Sequence, residues 1–197
     1  MLFVGLTGGL GSGKSEALAA AGRLGAAVLS SDMVVHELLG TDEVRDTLRE
    51  RWGERVVDGD AVDRMAVAGI VFGDPEELSW LEQTLFPMVG VRINEWRAGL
   101  DKAGEVDVAV VEVPLLFEAG IESLFDATIA VIADEALRSD RAGARGHENV
   151  EGREGRQLSQ EGKAARADHV VRNDGSLEDL EVAMGSVLND IRSKVSS

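Results

Sequence analysis

The chain has no cysteine in its 197 residues. That excludes disulfides, thiolate metal sites and cysteine nucleophiles, and makes the cytoplasm the expected compartment. It also has no apolar run of about 18 residues, the length a bilayer-spanning helix needs. The opening "MLFVGL" lacks a basic leader and runs at once into a glycine turn, so it reads as a first strand and not as an export signal. Positive charge is scarce as well: 20 Lys and Arg face 36 Asp and Glu, a net charge of -16. A general nucleic-acid binder or an anionic-membrane binder is thereby disfavoured, because both surfaces attract cationic patches. Only residues 138–172 reverse the balance, with 8 basic against 6 acidic residues. An anionic small molecule would be received there, unless those arginines simply solvate a helix surface. The three histidines show no zinc-ligand spacing. No internal repeat and no long linker divides the chain, so one domain with a helical excursion is expected, working as a monomer, with an oligomer left open.

What is present is a glycine loop in a telling context. "LFVGL" (2–6) reads as a buried strand, "SEALAAAGRLG" (15–25) as a helix and "AAVLSSD" (26–32) as a second strand. Between the first two lies G-x-x-x-x-G-K-S, with Gly8, Gly13, Lys14 and Ser15 at its fixed positions. Glycines let backbone amides turn inward around phosphate oxygens, and the N-terminus of the next helix adds unpaired N–H groups. Lys14 can reach the β and γ phosphates of ATP, and the Ser15 hydroxyl can join the coordination of Mg²⁺. Gly8, Gly11, Ser12, Gly13, Lys14, Ser15 and Glu16 are therefore the nucleotide-binding positions. No guanine-reading N-K-x-D element follows, and the chain is short for an ATPase motor. A small kinase fits best.

Further valine-rich strands are expected at 106–113, 127–133 and 168–173, giving five parallel strands with helices on both faces. Residues 33–52 and 60–72 read as helical. Asp74 caps a further helix, and Pro87 marks a kink or junction before a helical run to about Leu100. The last segment carries apolar residues at 177, 180, 184, 187, 188 and 191, a helical period with Ser176 as N-cap. Trp52, Trp80 and Trp96 are read as helix packing, and His36 as a partly buried helix position.

These residues together resemble the dephospho-coenzyme A kinase family. The resemblance is carried by "GLTGGLGSGKS" (5–15), "SSDMVVHELL" (30–39), "DRMAVAGIVFGDPE" (63–76), "PLLFE" (114–118) and "RQLSQEGKAARADHVVRNDGSLEDL" (156–180). The last two are the discriminating ones, notably Gln157, Lys163, Ala167, Asp168, Asn173 and Gly175. The family implies a P-loop nucleoside-kinase-like three-layer α/β fold. It implies a core of 1–32, 104–136 and 165–197, a helical acceptor region at 33–103 and a lid at 137–164. It further implies transfer of the γ-phosphoryl of ATP to the ribose 3'-hydroxyl of dephospho-CoA.

On this resemblance Asp32 is the base, at the carboxyl end of the second strand and beside the glycine loop if the first two strands are neighbours. The plain alternative is an N-cap for a helix beginning near Met33. Glu112 is the carboxylate that holds magnesium through water, the alternative being a strand end facing solvent. Arg141 and Arg145 are the lid arginines, and Arg64 is an acceptor-side candidate or an ordinary surface arginine. Glu118 braces a turn and is not catalytic. The chain departs from the family at Ser30, at Phe86 and at Glu16, whose carboxylate stands near the expected triphosphate. Two other functions therefore stay open: a kinase for a different hydroxylated acceptor, and an ATP-binding regulatory protein without activity.

Overall fold

The alternation of strand and helix read from the sequence is realised in the computed structural model, which describes residues 1–138 and 157–195. The chain divides into two compact units, Met1–Ser30 with Arg97–Ser197, and Ser31–Trp96. The first holds a parallel sheet. Its strands are β1 (Leu2–Gly8), β2 (Ala27–Ser30), β5 (Val108–Glu112), β6 (Ala127–Ile132) and β7 (His169–Arg172), in the spatial order β2-β5-β1-β6-β7. Val108 to Val111 are all fully buried, as are Val4, Leu6, Ile129 and Val131. Near-continuous apolar strands of this kind need cover on both faces, which parallel sheets receive from their crossover segments.

One face is covered by α1 (Lys14–Arg23) and by the last helix, Leu177–Val195, which is α7 in chain order. Ala17, Ala20 and Ala21 of α1 let its backbone come close to the sheet, while Leu180, Met184, Leu188 and Ile191 of α7 fill the rest of the same core. Each buried Leu or Met side chain there contributes about 1.5–3 kcal/mol. Leu177 is the exception to the expected stripe and lies exposed. The α7 N-terminus is closed as expected: Asp179 N–H donates to Ser176 Oγ, and Ser176 N–H donates back to Asp179 Oδ2. On the other face, a Cβ at Gly5 would stand 2.5 Å from Leu116 Cδ1 and 3.1 Å from the Phe125 ring. The segment between β5 and β6 therefore packs directly on the β1 backbone.

β5 lies between β1 and β2, in register Leu6–Glu112–Ser30. The first two strands are thus not neighbours, which corrects the condition under which Asp32 would adjoin the glycine loop.

The second unit is helical apart from one hairpin. It contains α2 (Ser31–Leu38), α3 (Asp42–Trp52), the short strands β3 (Val57–Asp58) and β4 (Ala61–Val62), α4 (Arg64–Val71) and most of α5 (Pro75–Ala103). Two helices replace the single run expected over 33–52, because Thr41 caps α3 through Val44 N–H. The hairpin turns at Gly59–Asp60, with Gly59 at φ +59°, so the first residues of the helical run expected over 60–72 belong to this hairpin instead. Asp63, not a residue near 60, starts α4 by accepting from Met65 and Ala66 N–H at 3.0 Å. Pro87 sits inside an unbroken α5, whose buried Leu85 and Val89 hold the helix on the proline's two sides. Trp52 packs edge-on against Trp80, and Glu77 ties the pair together by accepting from Trp52 Nε1 and from Arg51. Among the described residues, no helix is long and apolar enough to cross a membrane.

Candidate active site

The loop between β1 and α1 turns on Gly11 at φ +72° and Gly13 at φ +87°, a region that strains any other residue. Gly8 is required for a different reason. A Cβ there would lie 2.4 Å from the Val131 carbonyl and 2.7 Å from Ser12 Oγ. The loop is thereby pressed against the carboxyl end of β6, and Ser12 is fully buried inside it, its Oγ lacking a hydrogen-bond partner among the described residues. Lys14 opens α1 and curls back, its ammonium donating to the Gly9 carbonyl at 2.8 Å. Ser15 is exposed at the first turn of α1, and Glu16 is half-buried beside it. A cradle with no room for a side chain at Gly8, an unused buried hydroxyl at Ser12 and a lysine at its mouth fits a phosphate chain.

Three residues from later in the chain hold this loop in place. Asn173 Nδ2 donates to the Ser12 carbonyl at 2.9 Å and is buried. Gln160, on the helix Gln160–Arg166 (α6), binds both main-chain groups of Ala133 and places its Cγ 3.3 Å from where a Gly9 Cβ would be. Arg138 Nε donates to the Leu10 carbonyl, and its Nη1 pairs with Glu135. Periodicity and spacing assigned no role to Gln160, and placed Arg138 with Arg141 and Arg145, three and four apart, on one side of a lid helix; here Arg138 is tied to the glycine loop. Lys163 and Asn173 stood out only through the family resemblance of 156–180.

Glu112 ends β5 only 5% exposed, so the reading of a strand end facing solvent is excluded. Its register partner on β2 is Ser30, so only one carboxylate stands at this level of the sheet. Glu118 braces a segment forty residues on, not its own turn: it accepts from Leu158 N–H at 2.8 Å and from Lys163 Nζ at 2.7 Å. Burial acts to raise the Glu118 pKa, but the bonds from Lys163 and Leu158 outweigh it and hold the carboxyl below its usual range. Burial pushes the Lys163 ammonium below its usual value, against the pull of Glu118.

Asp32 and Arg64 belong to the Ser31–Trp96 unit. Asp32 is exposed in the first turn of α2, which begins at Ser31, so it is not the N-cap of a later helix. Arg64 is the first residue of α4 and lies against the ring of His36, Nη1 to Nε2 2.9 Å. His36 is exposed, contrary to the expected partial burial, because it stands on the side of α2 opposite the buried Val34 and Leu38. Arg141 and Arg145 lie outside the described residues.

Asp168 fastens the start of β7 to β6. Its Oδ2 accepts from Thr128 N–H and Thr128 Oγ1, both at 2.8 Å. Burial opposes these bonds, yet they keep the Asp168 carboxyl below its usual range. A carboxyl whose folded pKa is depressed contributes stability above its unfolded pKa and loses that contribution as pH falls through the folded value. Asp168 and Glu118 share this sign, so the melting temperature is expected to fall as pH drops below about 4. Thermal melts between about pH 7 and about pH 3 check this; Asp168→Asn, which removes one titrating group, gives a shallower slope.

The model of the family described as dephospho-CoA kinase matches residues 2–179. The dephospho-CoA kinase of Deinococcus radiodurans is 37% identical over 191 residues, covering 95% of this chain and 91% of that protein. A solved Thermus thermophilus structure superposes with a TM-score of 0.81 at 37% identity, covering 96% of this chain and 97% of the other. The dephospho-CoA kinase from Campylobacter jejuni does so with a TM-score of 0.72 at 26% identity, covering 98% of each chain.

Proposed function

Since the chain belongs to the dephospho-CoA kinase family and phosphorylates dephospho-CoA with ATP to give CoA, we propose how its own residues divide that reaction. The phosphate cradle of Gly8, Gly11, Ser12, Gly13, Lys14 and Ser15 carries the reading. Its backbone amides and the α1 N-terminus hold the triphosphate, and the closeness of Val131 and Ser12 to Gly8 keeps the loop in one shape. Lys14 leaves the Gly9 carbonyl for the β and γ oxygens and stabilises the charge that develops on the transferred group.

Asp32 orients the ribose 3'-hydroxyl and takes its proton as the oxygen attacks. It lies two residues beyond Ser30, the register partner of Glu112, along the chain. Arg64, its guanidinium steadied by His36, binds an anionic part of the acceptor. Ser15 and Glu112 would hold Mg²⁺, with phosphates and water completing its oxygen ligands. When bound, the ion neutralises charge on the β and γ phosphates. Arg141 and Arg145 supply further guanidinium groups to the phosphates, in the lid expected over 137–164, whose last residues, from Gln160 on, are packed into the core. Glu16 borders the nucleotide site in the first turn of α1. The acceptor region at 33–103 and the core segments 1–32, 104–136 and 165–197 are the corresponding division of labour. The enzyme works as a cytoplasmic monomer on this reading.

The test is conversion of dephospho-CoA by the purified protein with ATP, followed by product mass and by phosphorus NMR, with and without Mg²⁺. The expected outcome is CoA bearing a 3'-phosphate, only when Mg²⁺ is supplied, and no phosphate on shikimate or nucleoside monophosphates. ATP binding without any phosphorylated acceptor would instead establish the regulatory alternative.

A further inference from the structure

Lys163 is fully buried and charged, and no step of the reaction uses it. Its ammonium has three N–H donors and meets three acceptors: the Pro114 carbonyl at 2.7 Å, Glu118 Oε1 at 2.7 Å and Thr7 Oγ1 at 3.4 Å. The Thr7 hydroxyl in turn donates to the Pro114 carbonyl at 3.2 Å. Thr7 immediately precedes Gly8, and Pro114 follows Glu112 by two residues. One side chain, carried on α6, thus reaches the Thr7 hydroxyl just before the glycine loop and the Pro114 backbone just after Glu112. Gln160, one turn earlier on the same helix, grips the end of β6 through Ala133.

Stability alone does not account for this arrangement. Desolvating an ion pair is costly, and well-packed apolar residues of similar volume commonly serve a core as well or better. What an apolar pair cannot supply is three directed bonds to fixed points, one on β1 and two on the segment that follows β5.

We propose that Lys163 is a positioning residue for phosphoryl transfer: it clamps the start of the glycine loop to the corner after Glu112 and sets the spacing between the two halves of the phosphate site. This rests on the reading of Gly8–Ser15 and Glu112 given above. Misplacement of reacting groups by about 1 Å costs on the order of 100-fold in rate, so a clamp at this position has leverage without touching a substrate.

The experiment compares Lys163→Met, Lys163→Met/Glu118→Gln, Lys163→Arg and Thr7→Val by melting temperature, ADP affinity from calorimetry, kcat and the two KM values. Lys163→Met alone leaves the partly buried Glu118 without its cation, so both melting temperature and kcat fall. The double variant removes both charges. It is expected to recover the melting temperature while kcat stays about 10- to 100-fold down and KM for dephospho-CoA is unchanged. Recovery of wild-type kcat together with the melting temperature would overturn the proposal, since a purely structural pair is replaced once its charges are balanced. Should the double variant remain unstable, Thr7→Val decides. It deletes one grip and leaves the ion pair, and normal turnover in that variant also overturns the clamp, whereas reduced turnover with an unchanged melting temperature supports it. Lys163→Arg keeps the charge in a different shape, and its turnover is expected between those of Lys163→Met and wild type. Lys14→Ala is the control for the underlying reading: wild-type ADP affinity in that variant counts against the phosphate site itself, whatever the Lys163 variants do.

Discussion

Asp32→Asn is expected to lower kcat for CoA formation by about 100- to 10,000-fold, the range in which a positioned general base contributes, with ADP affinity unchanged. Asparagine keeps the size and hydrogen-bonding reach of the side chain but cannot accept the proton of the acceptor hydroxyl. The exposed position of Asp32 in the first turn of α2 makes the substitution mild for the fold, because the carboxylate has no buried surroundings to lose. The α2 core contacts, Val34 and Leu38, are untouched. A loss of turnover with normal ADP binding and a normal melting temperature therefore reads chemistry. A loss of less than about tenfold in a single-turnover measurement would remove Asp32 from the role of base. The acceptor proton would then have to leave to water or to the phosphate. Asp32→Ala serves as a companion. It deletes the orienting carbonyl as well, and so is expected to raise KM for dephospho-CoA where Asn does not.

Lys14→Met carries the second large effect, a loss of about 100- to 1,000-fold in kcat on the scale of removing one preorganised donor from a developing charge, together with weaker ADP binding. The lysine stands at the mouth of the glycine loop. Its ammonium donates to the Gly9 carbonyl, a weak anchor compared with phosphate oxygens. Methionine preserves the stem and the α1 helix start, so circular dichroism and the melting temperature should stay near wild type. Equilibrium binding of ADP and single-turnover phosphoryl transfer separate the two contributions. Unchanged transfer with weaker binding would confine Lys14 to ground-state attraction, since only interactions stronger in the transition state raise kcat.

Much of this was legible in one dimension. The five strands fall within a few residues of their sequence positions, because buried parallel strands write themselves as unbroken apolar runs. The glycine loop is legible for a stricter reason: left-handed backbone at Gly11 and Gly13 and the contact of Gly8 with Val131 admit no other residue type. Glu112 could be placed at a strand end but not inside the protein. Its burial depends on β5 running between β1 and β2, and strand order leaves no trace in local periodicity. The helical excursion was blurred where short-range chemistry overrode the apolar period, at the Thr41 cap and the Gly59–Asp60 turn.

The sequence by itself thus determined the class of fold, the loop that cradles phosphate and, through its distributed resemblance, the family. Those features depend on residue type at fixed short spacing, which the chain displays openly. Only the tertiary structure decided that Asn173 holds Ser12, that Gln160 holds Ala133 and that Lys163 joins Thr7 to Pro114. These partners stand up to 161 positions apart in the chain. A lysine in a polar helix segment reads as solvated until folding brings a carboxylate, a carbonyl and a hydroxyl to its three donors; burial and directed hydrogen bonding are properties of proximity, and proximity at that separation is created by the fold.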